Sequence, residues 1–186
     1  MTLNNVPQIL VFAGPNGSGK STITQVWEKA GLYINADDIK ATRGCSDLEA
    51  AGEAERLREL CFSERRSFTF ETVFSTERNL DLLIRAKAAG FHIEGVFVLT
   101  ASPELNVFRV KSRELSGGHT VPPDKIRGRY TKSLANISKL LALCDEFRLV
   151  DNTNQPEILF IKDESWQQIR PNQYWTVEVI ENLTTV

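Results

Sequence analysis

The sequence has few of the features that mark secreted, zinc-binding or membrane-spanning proteins. Its 186 residues include three cysteines, and none has the CxxC or Cys/His spacing of a zinc site. An odd number of widely spaced cysteines favours free thiols in a reducing compartment. The N-terminal residues lack a basic stretch, and the apolar run Ile9 to Ala13 is too short for a signal-peptide core or a membrane span. We therefore expect a cytoplasmic protein that does not act in a membrane.

The chain also lacks a large net charge. A formal net charge of -2 excludes a polycation, so nucleic acid is not expected as a partner. Charge is nevertheless uneven, because Lys and Arg outnumber Asp and Glu between residues 101 and 140. A locally basic segment in a near-neutral protein indicates an anionic small ligand. The length and the absence of repeats or linkers predict one domain over residues 1–186, with a core of 7–151 and an extension of 152–186.

Strand-like and helix-like segments alternate through the first 150 residues. Short apolar runs predict strands at Gln8–Ala13, Leu32–Ala36, Phe68–Val73, His92–Leu99 and Phe147–Val150. Amphipathic segments predict helices at Ser18–Ala30, Asp47–Arg65, Glu77–Ala89, Pro103–Leu115 and Pro123–Leu143. This alternation predicts an α/β three-layer sandwich with a mostly parallel five-stranded sheet. Two further apolar runs, Ile158–Ile161 and Trp175–Ile180, predict added strands at the C-terminus.

A glycine-rich motif lies between the first predicted strand and the first predicted helix. Residues 14–21, GPNGSGKS, match GxxxxGK[ST] in full. Glycines let backbone N–H groups surround an anion without Cβ clashes, Lys20 can reach the outer phosphates, and the Ser21 hydroxyl can bind Mg²⁺. The motif predicts a P-loop NTPase-type fold that binds ATP and Mg²⁺. The expected nucleotide-binding residues are Gly14, Pro15, Asn16, Gly17, Ser18, Gly19, Lys20, Ser21 and Thr22.

The phosphate loop alone does not name the reaction, since kinases, GTPases and motors share it. The NKxD motif that reads guanine is missing from the sequence, which disfavours a GTPase.

Carboxylates follow three predicted strands, at the edge of a parallel sheet where ligands bind. Asp37 or Asp38 could accept a proton from an acceptor hydroxyl, or could cap a helix. Glu71 resembles the acidic residue of a Walker B strand, which would hold metal-bound water or position the acceptor, or could form a salt bridge. Asp151 could touch nucleotide or cap a turn.

Basic residues flank a Gly117-Gly118-His119 break. Arg109 and Arg113 share one helix face, and Arg129 follows the break together with Arg127. Arginines on a closing lid can balance charge on a transferred phosphate, although they could also form a solvated basic face. His119 could contact a ligand from the lid or could be structural. The pattern favours phosphoryl transfer.

Four segments in order resemble the zeta toxin family of P-loop kinases. They are AGPNGSGKST (13–22), INADDI (34–39), FETVFS (70–75) and RVKSRELSGGHTVPPDKIRGRYTKS (109–133). The resemblance implies ATP-dependent phosphorylation of the 3′-hydroxyl of a UDP-linked N-acetyl amino sugar, and an antitoxin protein as partner. The GGHxVP lid departs from the family pattern, leaves one lid arginine without a counterpart, and is closest to chromosomal zeta-like proteins.

The resemblance and the motifs together assign roles to individual residues. The expected catalytic residues are Asp37, Lys20, Glu71, Arg113 and Arg109, with Ser21 and Glu71 at the metal. The expected acceptor contacts are Asp38, Thr72, His119 and Arg129. Two alternatives stay open: a kinase for another acceptor, such as a nucleoside, an antibiotic or a nucleic-acid end, and a non-catalytic ATP-binding regulatory module.

Overall fold

A computed structural model describes residues 6–115 and 120–185 of the chain. The predicted lid residues Gly117, Gly118 and His119 lie outside the described residues. The elements are, in chain order, β1 (Gln8–Ala13), α1 (Lys20–Val26), β2 (Leu32–Ile34), α2 (Ala36–Arg43), α3 (Asp47–Ser63), β3 (Phe68–Thr72), α4 (Arg78–Ala88), β4 (His92–Leu99), α5 (Pro103–Leu115), α6 (Pro123–Leu134), α7 (Ile137–Leu143), β5 (Glu146–Asp151), β6 (Glu157–Lys162), β7 (Gln167–Ile169) and α8 (Val177–Thr184).

All described strands form one sheet in the order β2-β3-β1-β4-β5-β6-β7. The first five strands pair in parallel, whereas β6 and β7 are added antiparallel after β5. The predicted α/β class, with a mostly parallel five-stranded sheet and added C-terminal strands, is confirmed. The carboxyl ends of β1 and β3 lie side by side, with Ala13 opposite Thr72, so the segments that follow these strands share one edge.

The sheet is buried on both faces, and alternate residues of each strand serve the two sides. On β1, Leu10 and Phe12 pack with Ile23 of α1 on one face. Ile9 and Val11 face the larger core on the other side, which includes residues of α3, α4, α7 and α8. Burial of these apolar side chains is the main force that holds the helices on the sheet.

The C-terminal region differs from the prediction. Trp175–Ile180 is not a strand, because α8 begins at Val177. Thr176 caps this helix, and its hydroxyl accepts a hydrogen bond of 3.3 Å from the backbone N–H of Val179. Trp175 and Ile180 are both buried in the large core. The β-branched residues that suggested a strand therefore lie on a short capped helix whose inner face is covered.

Two helices also differ from their predicted extents. The predicted helix 123–143 is two helices, α6 and α7, separated at Ala135 and Asn136. Helix α1 covers Lys20–Val26 and so ends four residues before the predicted end at Ala30. Among residues 6–115 and 120–185, no helix is both long enough and apolar enough to cross a membrane.

Candidate functional site

A cavity of about 790 Å³ lies beyond the carboxyl ends of the parallel strands. Pockets of roughly 300–1,000 Å³ are typical of small-molecule sites. This cavity brings together most of the residues that the sequence analysis named as site residues. Those that line it are Asn16, Gly17, Gly19, Lys20, Ser21, Thr22, Asp37, Glu71, Thr72, Arg109, Arg113 and Arg129. Gly14, Pro15 and Ser18 belong to the loop without lining the cavity, and Asp38 does not line it either.

The phosphate loop needs glycine at positions where its backbone meets neighbouring strands and helices. Gly14 has a φ of 142°, and a Cβ there would lie 2.0 Å from the backbone oxygen of Val98. Gly17 has a φ of 80°, and a Cβ there would lie 2.6 Å from the backbone oxygen of Asn106. Both the left-handed conformation and the contact exclude larger residues. The loop is therefore tightly packed against β4 and α5.

Lys20 lies across the phosphate loop. Its Nζ donates hydrogen bonds of 2.7 Å to the carbonyl of Gly14 and 3.1 Å to that of Pro15. Burial lowers the pKa of Lys20 to about 8, against the opposing effect of the Glu71 and Asp37 carboxylates. Neutral carbonyls offset the charge of a buried ammonium less well than an anion does. The lysine is thus placed to exchange these carbonyls for an anionic ligand.

Ser21 and Glu71 meet directly, although they are 50 residues apart in the sequence. The Ser21 hydroxyl donates a hydrogen bond of 2.9 Å to one Glu71 oxygen, and Tyr33 donates one of 2.6 Å to the other. Asn35 in turn donates to the Tyr33 hydroxyl at 2.9 Å. Among the described residues Glu71 forms no ion pair, so the salt-bridge interpretation is not supported. A hydroxyl and a carboxylate side by side are oxygen ligands that fit Mg²⁺.

Tyr33 stays protonated as a donor to this carboxylate. Burial, followed by the hydrogen bond to Glu71, raises the pKa of Tyr33 above its usual range. The phenol therefore remains a hydrogen-bond donor to Glu71 at neutral and mildly alkaline pH.

The two aspartates after β2 lie in the first turn of α2, and neither caps it. The cap is Asn35, whose side-chain oxygen accepts a hydrogen bond of 2.8 Å from the backbone N–H of Asp37. The capping interpretation of the aspartates is therefore wrong. Asp37 is exposed and faces the cavity. Burial raises the pKa of Asp38, and the nearby carboxylates of Glu71 and Asp37 raise it further.

The four arginines differ in the partners of their guanidinium groups. Arg109 donates hydrogen bonds of 2.8 and 2.9 Å to the carbonyls of Asn152 and Thr153, and Arg129 donates one of 3.2 Å to the side chain of Asn16. No described residue accepts a hydrogen bond from Arg113, although it lines the cavity. Arg127 instead pairs with Glu104 and Asp124 on the surface, as the solvated-face interpretation predicts.

Sequence reasoning missed three polar residues that shape the site: Tyr33, Asn35 and Asn152. Asn152 lines the cavity, and its side-chain amide donates a hydrogen bond of 2.8 Å to the carbonyl of Ser18. The position of all three, just within or just after a strand, was the available signal. Asp151, by contrast, is buried and caps a turn, because its carboxylate accepts a 2.9 Å hydrogen bond from the backbone N–H of Thr153.

Comparison with known proteins identifies the family. The zeta toxin family model matches residues 2–165. This chain belongs to the zeta toxin family. It is 28% identical over 127 residues to an uncharacterized protein of Haemophilus influenzae, a match that covers 65% of this chain and 91% of that relative.

Solved structures agree with this assignment at the level of the fold. This zeta toxin family member is similar to a chain of the AvrRxo1-ORF1:ORF2 complex solved with ATP. The TM-score is 0.71 and the identity is 16%, and the match covers 96% of the zeta toxin family member. It spans only 63% of that chain. It is also similar to a chain from the PezAT chromosomal toxin-antitoxin system of Streptococcus pneumoniae, with a TM-score of 0.59, 17% identity, and coverage of 97% of this chain and 79% of that one.

Proposed function

We propose that this zeta toxin family member is an ATP-dependent small-molecule kinase, which transfers the γ-phosphate of ATP to a hydroxyl group. The observation that carries the proposal is that one cavity collects Lys20, the Ser21–Glu71 pair, Asp37 and three arginines. A phosphate-loop lysine, a metal-binding pair and a carboxylate base are the parts that phosphoryl transfer requires. The similar fold that was solved with ATP supports the choice of nucleotide.

The nucleotide would bind along the phosphate loop, residues 14–22. Lys20 would leave the carbonyls of Gly14 and Pro15 and contact the outer phosphates. Ser21 and Glu71 would hold Mg²⁺, which supplies charge neutralisation on the phosphates when it is bound. Tyr33 keeps the carboxylate of Glu71 in position.

Asp37 would act as the general base. The acceptor oxygen forms a bond to the γ-phosphorus, the bond to the bridging oxygen breaks, ADP leaves, and the acceptor proton passes to the Asp37 carboxylate. Arg113 would balance charge on the moving phosphoryl group, because its guanidinium has no described hydrogen-bond partner to release. Arg129 would approach from α6, where it already touches Asn16 of the loop. Arg109 is held on two carbonyls and would contribute its charge from there.

The first acceptor to test is the UDP-linked N-acetyl amino sugar that membership of the family suggests. Asp38, Thr72, His119 and Arg129 are the proposed contacts to it. The Thr72 oxygen accepts hydrogen bonds from Phe74 and Asn79, so only its hydroxyl hydrogen would be donated to a ligand. We also propose a cytoplasmic location and an antitoxin protein as partner. The toxin-antitoxin system that contains a similar fold supports the partner.

Two variants test the roles of the site. With labelled ATP, the sugar nucleotide and a pool of cell metabolites, the wild-type protein should label one product. Lys20→Ala should abolish both ATP binding and labelling. Asp37→Asn should lower labelling by roughly 10²- to 10⁴-fold while ATP affinity stays near that of the wild type.

Three other results would each contradict part of the proposed function. An equal loss of ATP affinity in both variants would contradict the role of Asp37 as base. Binding of ATP with no labelled product from any acceptor would favour the regulatory module. Labelling of a nucleic-acid end with steep salt dependence would replace the small-molecule acceptor.

A further inference from the structure

Asn152 holds one peptide group of the phosphate loop. Its side-chain amide donates a hydrogen bond of 2.8 Å to the carbonyl of Ser18. The amide also packs against the loop, since a Cβ on Gly19 would lie 2.1 Å from its nitrogen. In a trans peptide the C=O and the next N–H point in opposite directions. The contact that fixes the Ser18 carbonyl therefore also fixes the direction of the Gly19 N–H.

That direction is away from Asn152, and it leaves the Gly19 N–H unpaired. No described residue accepts a hydrogen bond from this group. Gly19 also lines the cavity. An inward-pointing backbone N–H in this loop is a donor for a phosphate oxygen.

Neighbouring elements keep Asn152 in place, because β4 and α5 bind its backbone and Asp151 caps the turn that contains it. The backbone N–H of Asn152 donates to the carbonyl of Leu99 at 2.8 Å, and its own carbonyl accepts from Arg109. The buried carboxylate of Asp151 caps the turn that includes Thr153. Its other oxygen accepts a hydrogen bond of 2.9 Å from the side chain of Asn172.

Asn172 is itself anchored to the core. Its side-chain oxygen accepts hydrogen bonds from the backbone N–H groups of Tyr174 and Trp175, at 2.9 and 3.1 Å, and Trp175 is buried. The same amide nitrogen also donates to Glu157 of β6 at 3.0 Å. Hydrogen bonds thus link the C-terminal region to Asp151, whose neighbour in the chain, Asn152, contacts the phosphate loop.

We infer that Asn152 is a positioning residue of the phosphate loop. The C-terminal residues act on nucleotide binding because Asn172 holds the carboxylate of Asp151, and Asp151 holds the turn that contains Asn152. The inference rests on the proposed nucleotide site. It gives the residues after β5 a part in binding a nucleoside triphosphate, beyond covering the edge of the sheet.

Titration of the full chain with ATP and with ADP tests this. Asn152→Ala and Asn172→Ala should each weaken both affinities by roughly 3- to 10-fold, the loss expected for one hydrogen bond. Asn154→Ala is the matched control. It removes a contact of 3.0 Å to the Tyr174 hydroxyl in the same segment, at an exposed position, and should leave both affinities unchanged.

Melting temperatures separate positioning from a merely structural role. A variant that melts earlier but binds ATP with wild-type affinity when folded would overturn the inference for that residue. Asn152→Ala truncates a side chain at the cavity wall, so it tests the inference even if Asn172→Ala does not fold. If the wild-type protein fails to bind ATP, the proposed function is overturned. If the wild type binds ATP and Asn152→Ala binds it with the same affinity, only the inference is overturned.

Discussion

Lys20 shows how the fold changes the chemistry of a single residue. Burial against the loop carbonyls lowers its pKa to about 8, so part of the population loses its charge in mildly alkaline solution. A bound triphosphate favours the ammonium form and therefore raises this pKa. ATP affinity should be constant below about pH 8 and should then decrease as the pH rises, by up to about tenfold per unit. Dissociation constants measured from pH 7 to 9.5 check this.

Lys20→Arg is the matched control, because a guanidinium keeps its charge throughout this range. Its ATP affinity, whatever its absolute value, should not decrease between pH 8 and 9.5. A parallel decrease in the variant and the wild type would assign the pH dependence to another group.

At the residue scale, the sequence predicts the loop better than it predicts the loop's surroundings. The phosphate-loop motif is a local pattern, and its glycines occur where the backbone needs them, as at Gly14 and Gly17. Tyr33 and Asn152 reach the site only because of strand order. β2 lies next to β3, which brings Tyr33 to Glu71, and β5 lies two strands from β1, which brings Asn152 to Ser18. The alternation of strands and helices does not specify that order.

At the scale of elements, the last turn of α6 and the break before α7 contact the turn that follows β3. Ser133 donates a hydrogen bond of 2.6 Å to the carbonyl of Val73, and Asn136 donates one of 3.1 Å to that of Phe74. Phe74 is buried and has a φ of 56°, a conformation that non-glycine residues rarely adopt. The two side chains therefore hold the turn that directly follows Thr72, the last residue of β3.

Asn136→Ala should lower the free energy of unfolding by about 1–3 kcal/mol, because it leaves a buried carbonyl unpaired. Chemical denaturation measures the change. Ser63→Ala is the control, since it removes a 2.9 Å hydrogen bond to the carbonyl of Leu60 at an exposed helix end. Equal, small effects of the two substitutions would contradict this role for Asn136.

Helix α8 shows why one element was mispredicted. Its sequence from Trp175 to Ile180 contains three valine or isoleucine residues, which favour strands as isolated types. The cap at Thr176 and burial of Ile180 against the core outweigh that preference. Local composition therefore could not reveal the helix, whereas the Thr176 cap was a readable signal.

At the scale of the whole molecule, the C-terminal residues contribute to the same core as the parallel strands. Ile180 is fully buried in the cluster that contains Ile9 and Phe97. Ile180→Ala should cost about 2–5 kcal/mol of unfolding free energy. Val179→Ala, at a neighbouring position that is 39% exposed, should change it by no more than about 0.5 kcal/mol.

The same measurement tests whether residues 1–186 form one domain. Fluorescence and circular dichroism should report one coincident transition for the wild type and for Ile180→Ala. Separate transitions, with only the first shifted by the substitution, would mean that the C-terminal region unfolds independently of the sheet.

Both outer strands of the seven-stranded sheet are short. Each has three residues: Leu32–Ile34 in β2 at one border and Gln167–Ile169 in β7 at the other. A strand at the edge of a sheet has one row of free N–H and C=O groups, which can pair with another chain. A longer edge strand offers more such groups and so favours aggregation more strongly. The five longer strands lie between these two short ones. Concentrated solutions of the folded protein should consequently resist cross-β assembly.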